Sequence, residues 1–418
     1  MSQDFQPKST FLKTMIERGH VYQMTDAEAL DAYCLTGVPV GYIGFDCTAK
    51  SLHVGSLVQI MNLRRLQQAG GKPVVLMGGG TTKVGDPTDK EKSRPILTVE
   101  EIEANMASIK KNFEPFLTFG DGPTDAVMIN NADWLDELKY IEFLRDYGKH
   151  FTINKMIAQE TVARRLRNEE PYTFLEFNYM LLQSYDFLEL ARRMDCRIQL
   201  GGSDQWGNIV NGIDLTRRIV DKHVFGVTTP LITTASGGKM GKTAEGAVWL
   251  NAGMRSPFDY WQFWRNTEDA DVGRFLRLFT DLPLDEIAGL EALEGAAIND
   301  AKKRLADECT ALLHGAEAAR EARSAAEAAF EKGVSSADLP TIEFDWGDQD
   351  RPAEALVVAA GLEKSVSAAK RLIQQNGAQI NDARPEVGQL YARGDVMADL
   401  GAFKVQKGKK SIVLLKPV

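Results

Sequence analysis

The first half of this 418-residue chain alternates short apolar runs with amphipathic segments, and this alternation limits the folds open to it. Continuously apolar runs are typical of strands buried on both faces of a parallel sheet, and the segments between them repeat apolar residues at helical spacing. The repetition predicts a doubly wound parallel sheet of the α/β class. The predicted strands are residues 38–45, 72–77, 126–129, 197–200 and 225–232, and the predicted helices include 54–68, 102–116 and 208–219.

Changes in composition along the chain predict further units. Residues 1–246 contain the predicted sheet, with a helical insertion at about 151–194, and we expect them to form a Rossmann-like catalytic domain. Residues 247–332 have a helical pattern almost throughout. The acidic, turn-rich stretch 333–351 is typical of a linker, and residues 352–418 predict a small, compact α+β unit.

Charge is distributed unevenly between these units. The whole chain has a net charge of −9, but residues 351–418 contain 11 Lys and Arg against 6 Asp and Glu, which gives +5. The rest of the chain therefore carries −14. A basic module attached to an acidic body is typical of an enzyme with an appended unit that binds an anionic polymer.

Several classes of protein are disfavoured by the sequence. No apolar run approaches the roughly 20 residues that cross a bilayer, and residues 1–20 lack the apolar core of a secretory signal. We therefore expect a cytoplasmic protein without a membrane partner. The cysteines form no CxxC pair and have no His at ligand spacing, which predicts a reducing compartment and no metal site. They are Cys34, Cys47, Cys196 and Cys309.

Two glycine-containing stretches directly follow predicted strands, GFDCTAKSLHVG at 44–55 and GGGTTKVGDPTDKEKSR at 78–94. Binding sites in parallel sheets lie at the carboxyl ends of the strands, so we expect both stretches at the working edge of the sheet. His53 and Gly55 begin a predicted helix. We expect its first N–H groups to be unpaired and to attract an anion.

A third stretch, GGKMGKTAEG at 237–246, is glycine-rich and basic. Ammonium and hydroxyl groups on flexible loops suit a polyphosphate. Each stretch alone is equally typical of an ordinary helix start or surface turn, but together they predict phosphoryl or adenylyl transfer. The side chains predicted to donate to the phosphates are Thr48, His53, Ser56, Lys90, Arg94, Lys239, Lys242 and Thr243.

Longer motifs resemble a known family. HVGS with KMGKT resembles the paired HIGH and KMSKS signatures of class I aminoacyl-tRNA synthetases. GYIGFDCTAKSLHVGSL, GDPTDKEKSR, EFNYMLLQSYDFLEL and IQLGGSDQWGNI resemble the bacterial tyrosyl-tRNA synthetases, in order along nearly the whole chain. The segment AGLEKSVSAAKRLIQQNGAQIND, at 360–382, resembles an S4 RNA-binding domain.

The resemblance implies an enzyme that activates L-tyrosine with ATP to tyrosyl-adenylate and pyrophosphate. The tyrosyl group would then be transferred to the 3′-terminal ribose of tRNA(Tyr). The resemblance also implies a homodimer, and Mg²⁺ that is carried with ATP and has no protein ligands.

It further implies roles for individual residues. Tyr42 and Asp186 would hydrogen-bond the phenol, and Asp86, Tyr179 and Gln183 would hold the α-ammonium group. Asn131, Gln199 and Gln205 complete the predicted tyrosine site. The predicted ATP-binding residues are Gly44, Asp46, His53, Gly55, Ser56, Gly202, Asp204 and Lys242. The predicted tRNA-binding residues are Lys370, Arg371, Lys404, Lys407, Lys409 and Lys410.

Three positions depart from the usual family pattern. Ile43 stands where Cys is usual, Cys47 where Pro is usual, and Ser56 where His is usual. A lost neutral hydrogen bond costs about 0.5–1.5 kcal/mol, so we expect altered use of ATP and not loss of catalysis.

Three alternative functions remain open from the sequence. The first is a related synthetase that charges tryptophan, whose indole has no phenolic oxygen for Tyr42 and Asp186 to bind. The second is a non-catalytic RNA-binding protein with a synthetase fold. The third is a small nucleotidyltransferase, which would explain neither the length nor the basic C-terminal unit.

Overall fold

A computed structural model describes the chain in eight ranges, and for residues 242, 243 and 329–331 it describes the backbone alone. Contacts divide the chain into two compact units, Met1–Arg323 and Ser324–Val418. No helix in the described ranges is long and apolar enough to span a membrane. The ranges are 5–88, 97–238, 240–243, 246–331, 340–347, 349–397, 400–408 and 411–418.

The first unit contains a six-stranded sheet, counted over the described residues. The strand order is β1-β6-β5-β2-β3-β4, and β2 to β6 are parallel to their neighbours in this set. The strands are β1 (Gln23–Met24), β2 (Val40–Phe45), β3 (Lys72–Met77), β4 (Val127–Asn130), β5 (Ile198–Gly202) and β6 (Phe225–Thr229).

The prediction of a wholly parallel sheet was wrong at one edge, where β1 runs antiparallel to β6. Strand β1 has only two residues, both half-buried, so it leaves no apolar run in the sequence. It is held by backbone bonds on either side, from Tyr22 N to Thr228 O and from Thr25 N to Gly226 O. The other five strands lie where the sequence predicts them, with shifts of a few residues at their ends.

The topology opens a crevice between β2 and β5. From β2 the chain proceeds through β3 to β4 in one direction, and β5 and β6 then lie on the other side. The two strands pair only at Gly41↔Ile198 and Tyr42↔Gln199, although both continue beyond these positions. A reversal of strand order of this kind is where parallel α/β sheets bind ligands.

Helices cover the sheet and continue after it. The longest, α9, starts at a capping box in which Thr173 and Glu176 satisfy each other's backbone N–H groups. It packs against α10, and the helices that precede it begin at residue 132, earlier than the insertion predicted at about 151–194. The helices are α1 (Thr10–Glu17), α2 (Ala27–Leu35), α3 (Val54–Gln68), α4 (Val99–Lys110), α5 (Ala132–Leu135), α6 (Tyr140–Asp146), α7 (Ile153–Ile157), α8 (Glu160–Arg167), α9 (Phe174–Met194), α10 (Trp206–Val220), α11 (Pro257–Arg265), α12 (Val272–Phe279), α13 (Leu284–Glu291), α14 (Ile298–His314) and α15 (Ala316–Glu331).

A short hairpin, β7 (Lys242–Thr243) and β8 (Gly246–Ala247), lies between the sheet and α11. Helices α11, α12 and α14 then pack on each other around aromatic side chains. Trp261, Trp264 and Phe279 are almost fully buried there. Burial of such large rings is a major source of stability for a helical region.

The second unit has its own core and a four-stranded sheet of order β11-β13-β14-β9. Trp346 and Phe403 stack inside it with ring centroids 4.9 Å apart. Its elements are β9 (Thr341–Phe344), β10 (Arg351–Pro352), α16 (Ala353–Ala359), α17 (Val366–Gln374), β11 (Ala378–Ile380), β12 (Leu390–Tyr391), β13 (Phe403–Lys407) and β14 (Ser411–Pro417).

Strand β9 lies inside the stretch that the sequence predicts as a linker. It pairs in parallel with β14, about 70 residues further along the chain. Most of its side chains are exposed, so it has no alternation of buried and exposed residues that would mark it as a strand. Only its long-range partner defines it.

Candidate active site

A cleft of about 530 Å³ opens at the crevice between β2 and β5. Its walls come from the ends of β2 and β5, the start of α3, the loops after β3 and β4, and one face of α9. Residues far apart in sequence therefore meet around one space. The predicted site residues that line it are Tyr42, Gly44, Asp46, Thr48, His53, Gly55, Ser56, Asp86, Asn131, Tyr179, Gln183, Asp186, Gln199, Gly202, Asp204 and Gln205.

The side chains of five predicted phosphate donors are not described by the structure. Lys90, Arg94 and Lys239 lie outside the described residues, and for Lys242 and Thr243 only the backbone is described. Their predicted contacts with phosphate remain predictions.

The backbone at the start of α3 bonds to the segment that follows the second signature stretch. Val54 N donates to Val248 O at 2.9 Å, and Leu250 N donates to Leu52 O at 2.9 Å. Gly55 is required at this contact, because a Cβ there would lie 2.8 Å from His53 Nδ1 and 3.1 Å from Met240 O. The start of α3 and Met240 are therefore in close contact at one wall of the cleft.

The prediction of unpaired N–H groups at the start of α3 was wrong. Besides the bond from Val54, Gly55 N donates to His53 Nδ1 at 3.0 Å and Ser56 N donates to His53 O at 2.8 Å. His53 caps the helix with its own ring nitrogen. Since Nδ1 accepts a bond, the imidazole of His53 carries its proton on Nε2 in this arrangement. An anion here would have to be bound by side chains.

One end of the cleft is built around a buried carboxylate. Asp186, 2% exposed, accepts hydrogen bonds from Asn131 Nδ2 at 2.9 Å and from Trp134 Nε1 at 2.7 Å. Burial raises the pKa of Asp186 to about 7, and the two donors offset only part of that effect. Tyr42 lies close by, and its buried hydroxyl has no hydrogen-bond partner among the described residues.

Trp134 was not predicted as a site residue. It lies on the short helix α5 behind Asp186 and does not line the cleft. The sequence places it near no motif, since its role depends on α9 packing against the end of β4. Asn131, three residues earlier, was predicted, and its Oδ1 also accepts from Gly80 N at 2.8 Å.

Further along the cleft, Gln205 joins two carboxylates. Its Nε2 donates to Asp86 Oδ2 at 2.9 Å and to Asp204 Oδ2 at 3.1 Å. Thr88 N donates to the other oxygen of Asp86 at 2.9 Å. Burial and the nearby charge of Asp46 raise the pKa of Asp86. A cation bound here would favour the ionised form of this carboxyl.

Two further buried oxygens lack partners among the described residues, Gln183 Oε1 and Gln199 Oε1. Both side chains line the cleft, as does Tyr42. Buried polar atoms are normally hydrogen-bonded, and an unpaired one costs about 1–3 kcal/mol. This cluster of unpaired polar atoms indicates a polar ligand.

Two of the positions that depart from the family pattern are buried next to the cleft. Ile43 lines it with an apolar side chain. Cys47 donates its backbone N–H to Thr82 Oγ1 at 3.0 Å. A proline at position 47 has no N–H and could not form this bond.

The basic side chains of the second unit differ in how available they are. Lys404 is 13% exposed and pairs with Asp382 at 2.7 Å. Lys407 pairs with Glu363 at 2.9 Å, whereas Lys370 is half exposed and 3.8 Å from Glu354. Arg371 is exposed on α17. Lys409 and Lys410 lie outside the described residues.

Comparison with known proteins gives a consistent result. The family described as tRNA synthetases class I (W and Y) matches residues 37–331. The chain is 61% identical over 414 residues to the tyrosine–tRNA ligase of Caulobacter vibrioides (strain NA1000 / CB15N), covering 98% of each chain. It is 56% identical over 422 residues to the tyrosine–tRNA ligase of Methylocella silvestris, covering 100% of each.

Solved structures with a similar fold belong to proteins of the same kind as these relatives. The C-terminally truncated mitochondrial tyrosyl-tRNA synthetase of Aspergillus nidulans superposes with a TM-score of 0.70 at 30% identity, covering 77% of this chain and 94% of that one. The corresponding protein of Coccidioides posadasii gives a TM-score of 0.67 at 31% identity, covering 76% and 92%.

Proposed function

This chain belongs to the tyrosine–tRNA ligases among the class I aminoacyl-tRNA synthetases, and we propose how its residues divide the reaction between them. It joins tyrosine to tRNA(Tyr) with the use of ATP. The observation that carries the assignment of roles is the pairing of a buried carboxylate, Asp186, with the unpartnered hydroxyl of Tyr42 at one end of the cleft.

At that end we assign recognition of the phenol. The substrate hydroxyl donates to Asp186 and accepts from Tyr42, so the Tyr42 hydroxyl gains the partner it lacks and Asp186 gains a third donor. Phenylalanine would leave the Tyr42 hydroxyl unpaired and would give Asp186 no further donor, and tryptophan has no oxygen for Tyr42. Asn131 keeps the carboxylate of Asp186 in place.

The middle of the cleft suits the α-ammonium and carboxylate groups of tyrosine. Asp86 supplies a negative charge, and Tyr179 and Gln183 supply oxygen acceptors for the ammonium group. Gln199 and Gln205 orient the groups around the carboxylate. Because Gln205 already bridges Asp86 and Asp204, it also fixes the distance between the tyrosine and ribose parts of the site.

The other end is assigned to ATP. Gly44 allows close approach to β2, and Asp204 accepts hydrogen bonds from the ribose. His53 donates from Nε2 to a phosphate oxygen, since Nδ1 is engaged with Gly55. Thr48 and Ser56 add hydroxyl donors. The tyrosine carboxylate attacks the α-phosphorus, pyrophosphate leaves, and no covalent enzyme intermediate forms, so these donors act by positioning and by stabilising developing charge.

We assign the remaining phosphate donors, Lys90, Arg94, Lys239, Lys242 and Thr243, on the family pattern. Mg²⁺ is proposed to be carried by the ATP phosphates. The described residues contain no group of three or more His, Cys, Asp or Glu side chains that could hold a metal ion. Carried with ATP, Mg²⁺ would be held mainly by phosphate oxygens and water and would neutralise phosphate charge.

For the transfer step we propose that the 3′ end of tRNA enters through a groove of about 440 Å³ that shares Tyr179 and Asp204 with the cleft. Tyr22, Tyr172 and Trp206 also line it, and unpaired bases stack on such rings. Tyr22→Ala is expected to slow aminoacylation while ATP–pyrophosphate exchange stays unchanged. Equal loss in both assays would contradict this path.

A homodimer is the proposed assembly. Residues 140–175 contain a concentration of exposed large apolar side chains, and exposed apolar surface of this kind commonly marks a subunit contact. We propose that a second copy of the chain covers it and that the enzyme works in the cytoplasm, where translation requires its product. The side chains are Tyr140, Ile141, Ile153, Ile157, Leu166, Phe174 and Leu175.

Sedimentation velocity tests the dimer. Ile141→Asp with Phe174→Asp is expected to give monomers at a concentration where the unmodified chain sediments as a dimer. Leu390→Asp, which changes an equally exposed side chain in the second unit, is the control. A monomeric unmodified chain would exclude the assembly.

ATP–pyrophosphate exchange tests the assigned substrate roles. Tyrosine is expected to support exchange, and tryptophan and phenylalanine to support it far more weakly. An absence of exchange with tyrosine, or equal exchange with all three, would overturn the proposed division of the cleft.

A further inference from the structure

Charged side chains continue along one side of α9 beyond the cleft. Asp186, Glu189 and Arg193 are spaced three and four residues apart, which aligns them on the helix. Arg193 Nε donates to Glu189 Oε2 at 2.8 Å, and its guanidinium carbon lies 5.2 Å from the ring centroid of Trp134. The indole N–H of Trp134 donates back to Asp186 at 2.7 Å. The four side chains form a loop of contacts that begins and ends on α9.

The contact between Arg193 and Trp134 bears on the carboxylate. A cation over an indole face is attracted by the negative charge of the π system. The cation also draws electron density from the ring, which makes the indole N–H a stronger donor. Trp134 is only 4% exposed, so its orientation depends on these neighbours. A fixed and polarised indole holds Asp186 in one direction and favours its ionised form.

We propose that Arg193 is a positioning residue for tyrosine selection, acting on Asp186 through the ring of Trp134. The proposal rests on the proposed role of Asp186 as the partner of the phenol. Arg193 itself does not line the cleft and touches no substrate. It would raise selectivity for tyrosine over phenylalanine without affecting the use of ATP.

The neighbouring residue Arg192 provides a matched control for Arg193. Arg192 also pairs with Glu189, at 2.8 Å, but its guanidinium lies over Tyr147, 5.7 Å from that ring. Removing either arginine leaves Glu189 with one cation fewer. Only Arg193 contacts the tryptophan that donates to Asp186.

Several groups that face Asp186 contribute to the pH dependence of tyrosine selection. They are the hydroxyl of Tyr42, the amide of Asn131, the indole of Trp134 and the carboxylate of Glu189. Glu189 is held ionised by its two arginines. Its charge acts on Asp186 in both arginine variants, so a difference between them isolates the contact with Trp134.

The test measures kcat/KM for tyrosine and for phenylalanine by ATP–pyrophosphate exchange between pH 6 and 9. Arg193→Gln is expected to lower the tyrosine-to-phenylalanine ratio about two- to fivefold and to move the pH midpoint of that ratio upward. Arg192→Gln is expected to leave the tyrosine-to-phenylalanine ratio and its pH midpoint close to those of the unmodified enzyme. Arg193→Lys, which keeps a cation near the ring, should restore most of the ratio.

Three results would overturn the proposal. One is an Arg193→Gln variant that loses activity equally with both amino acids. Another is an Arg192→Gln variant that shifts the ratio as much as Arg193→Gln does. The third is a lowered melting temperature in Arg193→Gln with an unchanged ratio, which would make the contact purely structural. If the unmodified enzyme does not prefer tyrosine, the proposed role of Asp186 fails instead.

Discussion

Single atoms define the phenol end of the cleft. The hydroxyl of Tyr42 has no partner among the described residues, and the carboxylate of Asp186 accepts one hydrogen bond on each oxygen. Leaving the Tyr42 hydroxyl buried and unpaired costs about 1–3 kcal/mol. A ligand that both donates and accepts one hydrogen bond at this point removes that cost, and a phenol does so.

Asp186→Asn is expected to weaken this recognition. The amide keeps the size of the carboxylate but removes its charge, and hydrogen bonds to charged groups contribute about 1.5–3 kcal/mol. We expect kcat/KM for tyrosine in ATP–pyrophosphate exchange to fall about ten- to hundredfold, with a smaller change for phenylalanine. An equal loss with both amino acids would indicate a collapsed site.

The raised pKa of Asp186 predicts a pH effect on selectivity. The ionised carboxylate is a stronger acceptor for the phenolic O–H than the protonated acid is, and the pKa of Asp186 lies at about 7. The tyrosine-to-phenylalanine ratio of kcat/KM is therefore expected to fall as pH decreases through about 7 and to level off above it. Asp86 affects both substrates alike, so the ratio removes its contribution. A ratio that is flat from pH 6 to 9 would contradict the role of Asp186.

At the proposed ATP end of the cleft, the open question about Ser56 is how much it lowers kcat/KM for ATP relative to a histidine. Its hydroxyl lines the cleft, where it is too short to reach as far as an imidazole would. Ser56→His is expected to improve kcat/KM for ATP by up to roughly tenfold, the effect of one neutral hydrogen bond. Its KM for tyrosine should not change. Unchanged ATP kinetics would show that the substitution is compensated elsewhere.

At the scale of elements, the start of α3 shows why a motif alone describes a site incompletely. The sequence predicted helix 54–68, and α3 has those bounds. The sequence also predicted free N–H groups at its start, but Val248 and the His53 ring occupy them. Val248 lies nearly 200 residues away, so no local pattern could reveal that contact.

Gly55→Ala tests the packing of this wall. A Cβ would come within 2.8 Å of the His53 ring and 3.1 Å of Met240 O, so either the ring or the loop must move. ATP–pyrophosphate exchange is expected to fall at least tenfold, mainly through ATP. Gly289→Ala, on α13 with open space around its Cβ position, is the control and should keep full activity. An active Gly55→Ala enzyme would show that the wall is adaptable.

Strands were also predictable to different extents, because some of them depend on a partner far along the chain. The strands β2, β3, β5 and β6 are mostly buried and β4 is half-buried, and each was predicted from local sequence. The strands β1 and β9 are short or exposed edge strands, defined only by pairing with β6 and β14. The local sequence indicates whether a strand is buried, but it does not indicate which distant strand pairs with it.

At the scale of the whole molecule, we propose that the two units differ in task. The cleft belongs to Met1–Arg323, and the basic C-terminal residues belong to Ser324–Val418. In the second unit Lys404 is largely occupied by Asp382, whereas Lys370 and Arg371 are accessible. Among the described residues we therefore propose Lys370 and Arg371 on α17 as the first tRNA contacts to test.

Lys370→Glu with Arg371→Glu is expected to raise KM for tRNA(Tyr) in aminoacylation and to leave ATP–pyrophosphate exchange unchanged. If each contacts a phosphate, the slope of log K against log salt should decrease by about two. Lys364→Glu with Lys416→Glu makes the same charge change in the same unit and should have a smaller effect. Matching losses in both assays would contradict a division of labour between the units.

The class of fold, the family and half of the residues that line the cleft were predictable from the sequence alone. These depend on local periodicity and on short motifs, which lie within a few turns or strands of the chain. The folded chain was needed to show that the N–H groups of α3 are occupied, that Trp134 donates to Asp186, and that the Tyr42 hydroxyl has no partner in the described ranges. Those facts are hydrogen bonds, made or missing, between residues that only folding brings together, and single atoms at those contacts set the polarity of the site.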